Sequence, residues 1–216
     1  SESNLGNSQH ALELANEALR IARDCGDKAR EGAAYHRLAT VEHSLGERTL
    51  ARDHYDRALV LHRMTEHTAH AAATALNLGV LLIDNQEVER AREVIESALV
   101  GFEEMGHARG LSPALVNLAL LARMRGDTDS AVSLVLRARE IDASRMSPVE
   151  LARDLWLLAE LALDSCDLAG AKAYRDELLT FDLADPARRS VWALHLAALD
   201  LRANPTREGG VTDVIR

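Results

Sequence analysis

Histidines carry the most obvious chemical capacity in this sequence, because six of the nine lie between His36 and His70. His36 and His43 are seven residues apart, and His67 and His70 are three apart. On a helix both spacings place the two imidazoles on one face, where they can share a metal ion. No cysteine or acidic ligand stands with either pair. A zinc site is therefore a weak hypothesis, and we expect no metal or other cofactor.

Catalytic motifs are missing from the sequence. It has no glycine-rich loop that could cradle a phosphate and no strained serine turn of the hydrolase kind. Glu160 and Asp164 share a helix face at a spacing of four residues, but such pairs are common on helices. We therefore expect that the protein is not an enzyme.

Composition favours helices that pack closely. Hydrophobic residues make up 47% of the 216 residues and aromatic residues only 3%, so alanine, leucine and valine carry the core. The formal charge of −9 argues against binding a nucleic acid duplex, which needs a basic surface. No apolar run approaches the roughly 18 residues of a membrane helix. Cys25 and Cys166 have no paired spacing, which favours a reducing, cytoplasmic setting.

Small or aliphatic side chains recur along the chain at a constant spacing, which equals the spacing between Ala11 and Ala51. Four such columns run in one register, without an insertion or a deletion, which indicates a repeat architecture. The columns are Ala11, Ala51, Ala91, Ala131 and Ala171; Ala18, Ala58, Ala98 and Ala138; Leu38, Leu78, Leu118 and Leu158; and Val41, Leu81, Leu121 and Leu161.

Within a repeat the periodicity is helical, since Ala75, Leu78, Gly79 and Leu82 recur on one helix face. Each repeat also holds a short turn whose second residue is acidic and can cap the next helix. The pattern predicts a single array over residues 1–203 and a flexible tail over 204–216. The predicted elements are an unpaired helix at 7–24, hairpins at about 28–64, 67–105, 107–143 and 148–182, and a last helix at 186–203. The acidic turn residues are Glu47, Glu87, Asp127 and Asp167.

The repeat resembles the tetratricopeptide repeat (TPR). Asn77-Leu78-Gly79, Leu82, Ala91, Ile95 and Ala98 look like its signature, and the segment from Asn117 to Ala138 repeats it. The resemblance implies an all-α fold, a right-handed α-α superhelix of stacked helical hairpins. The usual TPR unit is shorter, and HEAT-type arrays stay open as an alternative. Repeats of this length are similar to the C-terminal sensor arrays of bacterial signal-transduction ATPases and transcriptional activators, and to kinesin light chain and peptide-pheromone receptor arrays.

In this fold the first helix of each hairpin lines a concave groove, so the resemblance implies a peptide or protein partner there. Asn77 and Asn117 match the asparagines that many peptide-binding TPR arrays place in the groove, where an amide can pair with a peptide backbone. The predicted groove residues are His36, Arg37, Thr40, His43, Leu76, Asn77, Val80, Ile83, Asp84, Val116, Asn117, Leu120, Arg123, Trp156 and Glu160.

Three alternatives stay open at this stage. The apolar part of the groove can be buried within the array, can enclose a small molecule that the domain senses, or can join two copies of the chain. The unpaired first and last helices also suggest a fragment of a larger regulatory or signalling protein. In each case we expect no nucleic acid and no membrane contact by this domain.

Overall fold

The computed structural model describes residues 2–180, with side chains from residue 8 onward. Within this range the chain forms nine α-helices and no β-strand. The helices are α1 (Glu2–Asp24), α2 (Lys28–Ser44), α3 (Arg48–Met64), α4 (Thr68–Asp84), α5 (Val88–Glu104), α6 (Ala108–Met124), α7 (Thr128–Ser144), α8 (Pro148–Asp164) and α9 (Leu168–Leu178). The predicted helix at 186–203 and the predicted tail at 204–216 lie outside the described residues.

The repeat divides into two halves of equal length. Helices α2 to α8 contain 17 residues each, and from α2 onward successive helices begin at a constant spacing, which is half of the repeat. Every turn between them holds one residue with positive φ at the same place in the half-repeat. These residues are Gly26, Gly46, Glu66, Gln86, Gly106, Gly126, Met146 and Cys166.

The turns share one hydrogen-bonding pattern that ends each helix. In the turn after α2, the N–H of Gly46 donates to the carbonyl of His43 at 3.0 Å, and the N–H of Glu47 donates to the carbonyl of Glu42 at 2.9 Å. This is the Schellman arrangement, in which a left-handed residue lets the chain satisfy the last carbonyls of the helix. Because the same turn recurs, successive helices reverse direction in the same way.

The acidic residues after these turns do not all cap the next helix as predicted. Asp127 and Asp167 do, each accepting a hydrogen bond from the backbone N–H three residues later, at 3.1 and 2.9 Å. Glu47 and Glu87 make no such bond. A glutamate side chain is one methylene too long for the cap geometry that aspartate favours. Glu87 instead pairs with Arg52 at 2.9 Å.

The chain divides into two compact units, residues 1–117 and 118–216. In the first unit α2 packs against α3, α4 packs against α5, and α3 also packs against α4. Ala51, Ala58, Ala91 and Ala98 are fully buried there. A Cβ at Gly79 would lie 2.2 Å from Cγ1 of the α5 isoleucine, so only glycine lets α4 approach α5 this closely.

The second unit repeats this packing with α7 against α8 and α8 against α9. Ala131, Val135 and Ala138 are fully buried. The columns of small and aliphatic residues therefore point into the core in each unit. None of the described helices combines the length and the apolar content needed to cross a bilayer. The single array predicted over residues 1–203 stays a prediction.

Candidate functional site

The predicted groove residues of α2 and α4 lie side by side in the first unit. His36 Nδ1 is 2.9 Å from Thr74 Oγ1, and His43 Nε2 is 2.9 Å from Asp84 Oδ2. The two contacts advance along both helices in the same direction, so α2 and α4 run parallel to each other. We call the surface that they share the first-helix face. Its residues are His36, Arg37, Thr40, His43, Leu76, Asn77, Val80, Ile83 and Asp84.

Tyr55 supports this face from behind. The side chain is 1% exposed, and its hydroxyl donates to Thr40 Oγ1 at 3.2 Å. Burial raises the pKa of the Tyr55 hydroxyl, although the neighbouring Thr40 and Asn77 side chains act in the opposite direction. The Asn77 amide therefore lies beside a buried hydroxyl.

The exposed part of the face combines an aliphatic stripe with a cation. Leu76, Val80 and Ile83 are half-buried and stand four and three residues apart, so they form one line along α4. Arg37 on α2 is exposed and forms no ion pair with any other described residue. An aliphatic line beside an available guanidinium suits an amphipathic ligand with a nearby acidic group.

His36 at the edge of this face is held in its neutral form. Burial lowers the pKa of its imidazole, and the positive charges of His70 and Arg37 lower it further. The ring also contacts Tyr55 edge-on, with centroids 5.9 Å apart. The imidazole therefore stands at the edge of the face as a hydrogen-bonding partner of Thr74.

In the second unit Arg123 brings two acidic side chains of α8 together. Its guanidinium pairs with Glu160 at 2.9 Å and with Asp164 at 2.5 Å. Burial alone would lower the pKa of Arg123, but the two carboxylates outweigh it and raise the pKa. Glu160 is 7% exposed, so this cluster fixes α6 residues to α8 and offers a ligand little surface.

The remaining predicted groove residues are mostly engaged within the fold. The Asn117 side-chain amide donates to the carbonyl of Pro113 at 2.8 Å, and Val116 is 6% exposed. Leu120 is half-buried. Trp156 packs against a buried cluster that joins α8 to α9. Whether any of these residues contacts a partner stays a prediction.

The ion pairs across the first helices follow a pattern that the sequence contains. His43 and Asp84 are separated by the same 41 positions as Arg123 and Asp164, which lie two repeats further along. A basic residue therefore meets an acidic residue one repeat plus one position later. An alignment of the repeats compares positions that are one repeat apart, so it does not reveal these pairs. The additional position depends on how neighbouring first helices are staggered.

The histidine pairs do not assemble into a metal site in the described part of the chain. No group of three histidine, cysteine, aspartate or glutamate side chains there could hold a metal ion. His43 is engaged by Asp84, and His67 Nδ1 lies 2.8 Å from the carbonyl of Thr65.

Comparison with known proteins defines the fold. No family model matches the chain. BtubC (BKLC) from P. vanneervenii superimposes with a TM-score of 0.75 and 22% identity, covering 82% of this chain and 73% of its own. A putative kinesin light chain from Podosopora anserina with nearly identical TPR-like repeats gives a TM-score of 0.64 and 18% identity, covering 94% of this chain and 92% of its own.

A third likeness is to the Rap conjugation gene regulator of the plasmid pLS20, solved in complex with the Phr* peptide. Its TM-score is 0.71 at 14% identity, and the match covers 99% of this chain but only 59% of the regulator. Identities this low establish the fold and not the activity. Together with the helix order, they confirm the predicted fold class: the chain is an all-α, tetratricopeptide-like array of helical hairpins.

Proposed function

We propose that this chain is a protein-interaction module that binds a peptide or a partner helix on the first-helix face. The observation that carries the proposal is the half-exposed line of Leu76, Val80 and Ile83 beside the exposed Arg37. A face that only packed within the fold would bury such a line completely. The expected ligand presents aliphatic anchors to this line and an acidic group to Arg37.

Asn77 gives the face a way to bind a peptide without reading its sequence. Its amide carries both a donor and an acceptor, which can pair with one peptide unit. Asn77 is half-buried, which restricts the amide before the ligand arrives, and pre-organisation of this kind reduces the entropy lost on binding. The proposed peptide complex of this chain has a parallel in the regulator that was solved with the Phr* peptide.

The test uses peptides selected from a random library on the immobilised wild-type protein. Their affinities are then measured by fluorescence anisotropy against Val80→Glu and against Asn77→Ala. We expect Val80→Glu to weaken binding by about tenfold or more, because it places a charge in the aliphatic line. Leu14→Glu is the matched control, since Leu14 is 59% exposed on α1. Equal affinities for all three variants and the wild type would remove the proposal.

Self-association is a second candidate, because a second copy of the chain could cover the same aliphatic line. Light scattering of the wild type and of Val80→Glu separates the two functions. A dimer that Val80→Glu dissociates favours a dimerisation module, whereas a monomeric wild type favours a peptide receptor. A ligand thermal-shift screen addresses the remaining alternative, a small-molecule sensor.

The wider role proposed for the chain is regulatory or signalling, including transcription regulation in bacteria, within the cytoplasm. Cys25 and Cys166 are both free and exposed, which suits a reducing compartment. The proposal includes no catalytic step, no nucleic acid and no membrane partner for this domain. Co-purification from the source cell under reducing conditions would identify the partner and check its location.

A further inference from the structure

Two junctions between hairpins lie within the first unit and are related by one repeat step. The first junction is formed by α1, α2 and the C-terminal half of α3, and the second by α3, α4 and the C-terminal half of α5. Each position in the first junction has a counterpart one repeat later in the second. The first junction therefore shows which side chains the repeat can accommodate at the matching positions of the second junction.

The first junction is filled by charged and aromatic side chains. The Glu31 carboxylate accepts hydrogen bonds from Arg23 Nε at 3.2 Å and from Lys28 Nζ at 2.8 Å. Arg57 Nη1 donates to the Tyr35 hydroxyl at 3.2 Å. The Glu31 side chain is 10% exposed, so it is an internal counter-ion for the arginine on α1.

The second junction has a smaller residue at each of four matching positions. Glu31, Tyr35, Arg57 and Leu61 are replaced by Ala71, Ala75, Ser97 and Gly101. Where the first junction is filled, the second contains a cleft of about 570 Å³. Its lining residues are Leu59, His62, Arg63, Glu66, Thr68, Ala71, Ala72, Ser97, Val100, Gly101 and Glu104.

Two polar groups of the cleft lack partners, and one of them, Arg63, stands where the first junction supplies a carboxylate. Arg63 stands at the position of Arg23, but among the described residues it donates only to Ser97 Oγ at 3.3 Å, and no described carboxylate forms an ion pair with it. His62 is 1% exposed, and neither of its ring nitrogens has a hydrogen-bond partner in the described part of the chain. A buried imidazole without a partner loses the hydrogen bonds that it makes in water.

We propose that the cleft of the second junction binds the side-chain carboxylate of an acidic residue in a partner peptide, in the place that Glu31 occupies in the first junction. Arg63 pairs with the carboxylate, and the buried His62 ring lies in the floor of the cleft. Charge-assisted bonds of this kind are about twice as strong as neutral ones. The site is separate from the first-helix face, since none of that face's residues lines it.

The other charged groups at the cleft define how selective it is. Glu66 and Glu104 line it and repel an anion, so a single carboxylate fits better than a more highly charged phosphate. His70 and His67 lie on the α4 side, with the ring centroids of His70 and His62 5.2 Å apart. Burial, followed by the charges of the neighbouring histidines, lowers the pKa of His62 to about 4. A bound carboxylate raises that pKa, which gives a second readout.

The experiment titrates the protein with N-acetyl-glutamate methylamide and, as a matched uncharged probe, with its glutamine counterpart, followed by NMR. We expect saturable shifts at Arg63, Thr68 and Gly101 for the glutamate probe only, together with a rise in the pKa of His62. Arg63→Gln should weaken binding by about tenfold. Equal responses to the two probes, or an unaltered affinity in Arg63→Gln, would overturn the proposal.

A pair of variants tests the same idea without a ligand. Ala71→Glu restores the missing carboxylate in cis, and Ala71→Gln adds a side chain of the same size without the charge. We expect Ala71→Glu to melt at a higher temperature than Ala71→Gln and to bind no glutamate probe, with circular dichroism confirming that both variants fold. Equal melting temperatures for the two variants would show that Arg63 needs no counter-ion, and the proposal would fail.

Discussion

The α3–α4 junction and the α7–α8 junction bury a titratable side chain at the same place in the repeat, yet with opposite chemistry. His62 is 1% exposed, and Asp142, two repeats later, has no exposed surface. The intermediate repeat has Phe102 there, 3% exposed. One position therefore accepts a base, an acid or an apolar ring, and the opposite helix determines which of them is stable.

The two polar junctions satisfy their buried groups differently. His62 has no hydrogen-bond partner in the described part of the chain, and it stays buried by remaining neutral. Asp142 lies near the equally buried Asp154, and Arg153 Nη2 bridges them at 3.1 and 2.7 Å. Burial and the nearby Asp142 raise the pKa of Asp154, and Asp154 Oδ2 has no hydrogen-bond partner among the described residues. Burial therefore disfavours the protonated form of His62 and the ionised form of Asp154, so the two junctions should respond to pH in opposite directions.

The largest expected effect comes from removing Arg153, because Asp142 also pairs with Arg145 at 3.1 Å whereas Arg153 is the cation that both buried carboxyl groups share. Arg153→Ala leaves two buried carboxyl groups without their shared donor, which should cost roughly 3–5 kcal/mol of stability. Hydrogen exchange of α7 and α8 amides measures the loss. The control is Arg175→Ala, whose guanidinium pairs with the exposed Asp176 at 2.8 Å and should contribute much less. Equal effects of the two changes would mean that the buried pair does not depend on Arg153.

The next effect is an acid-dependent loss at the α3–α4 junction. The pKa of His62 is lowered from 6.5 to about 4, first by burial and then by His70, His36 and His67. Below pH 6.5 the unfolded chain binds a proton at His62 that the folded chain does not bind. The free energy of unfolding therefore falls as the pH drops towards the folded pKa. The total loss is roughly 3 kcal/mol. Chemical denaturation at a series of pH values across this window measures it.

His62→Leu should remove most of this pH dependence, because the side chain no longer titrates. His10→Gln is the control, since the His10 side chain is 71% exposed and its removal should leave the slope unchanged. A free energy of unfolding that varies with pH in the same way with and without His62 would contradict the assignment of a neutral buried imidazole.

The α7–α8 junction should respond to pH with the opposite sign and a similar amplitude. Burial, with Asp142 nearby, raises the pKa of Asp154 to about 6, although Arg153 opposes the rise. Between pH 3.8 and about 6 the folded chain holds a proton that the unfolded chain releases, so stability decreases as the pH rises through this window. We expect a change of roughly 3 kcal/mol, measured by hydrogen exchange of the α7 and α8 amides.

Asp154→Asn tests this by keeping the shape and donor of the protonated acid. Its α7 and α8 amides should lose the pH dependence of their stability and, at neutral pH, exchange no faster than those of the wild type. A variant that exchanges faster at every pH would show that Asp154 acts as a carboxylate paired to Arg153 and not as a proton carrier.

Hairpins are specified more clearly by the sequence than junctions are, for a physical reason. Gly79, Ala91 and Ala98 recur because two helices of one hairpin cross at a fixed short distance, and a fixed distance selects the same small residues in every repeat. The columns of such residues were enough to predict the register and the helices. The half-repeat could not be predicted. Glycine would be the recognisable signal at its turns, and half of the turn positions hold another residue. These residues are Glu66, Gln86, Met146 and Cys166.

Junction and site residues could be found only in part. Asn77 and Arg37 lie on the predicted face, but Tyr55 belongs to another helix, and its place behind the face was not predicted from the sequence. The importance of His62 depends on four replacements elsewhere in the chain. A cleft is a property of several side chains in space, so no single position reveals it. The four replacements are Ala71, Ala75, Ser97 and Gly101.

The smallest effect concerns the apolar junction and decides whether it too is fitted to its neighbour. A Cβ at Gly110 would lie 2.4 Å from the Phe102 ring, and the ring is buried, so Gly110→Ala forces a shift that costs about 1–3 kcal/mol. Alanine regains about 1 kcal/mol through its higher helix propensity. We therefore expect a net destabilisation of about 1 kcal/mol, measured by chemical denaturation.

Making Gly110→Ala in a Phe102→Leu variant tests whether the ring and the glycine are matched to each other. In Phe102→Leu the ring that meets the new Cβ is absent, so Gly110→Ala should become stabilising through helix propensity alone. Chemical denaturation of the single and double variants gives the sign in each background. If the sign is the same in both, the ring and the glycine are not a matched pair, and the apolar junction differs from the two polar ones in needing no specific partner.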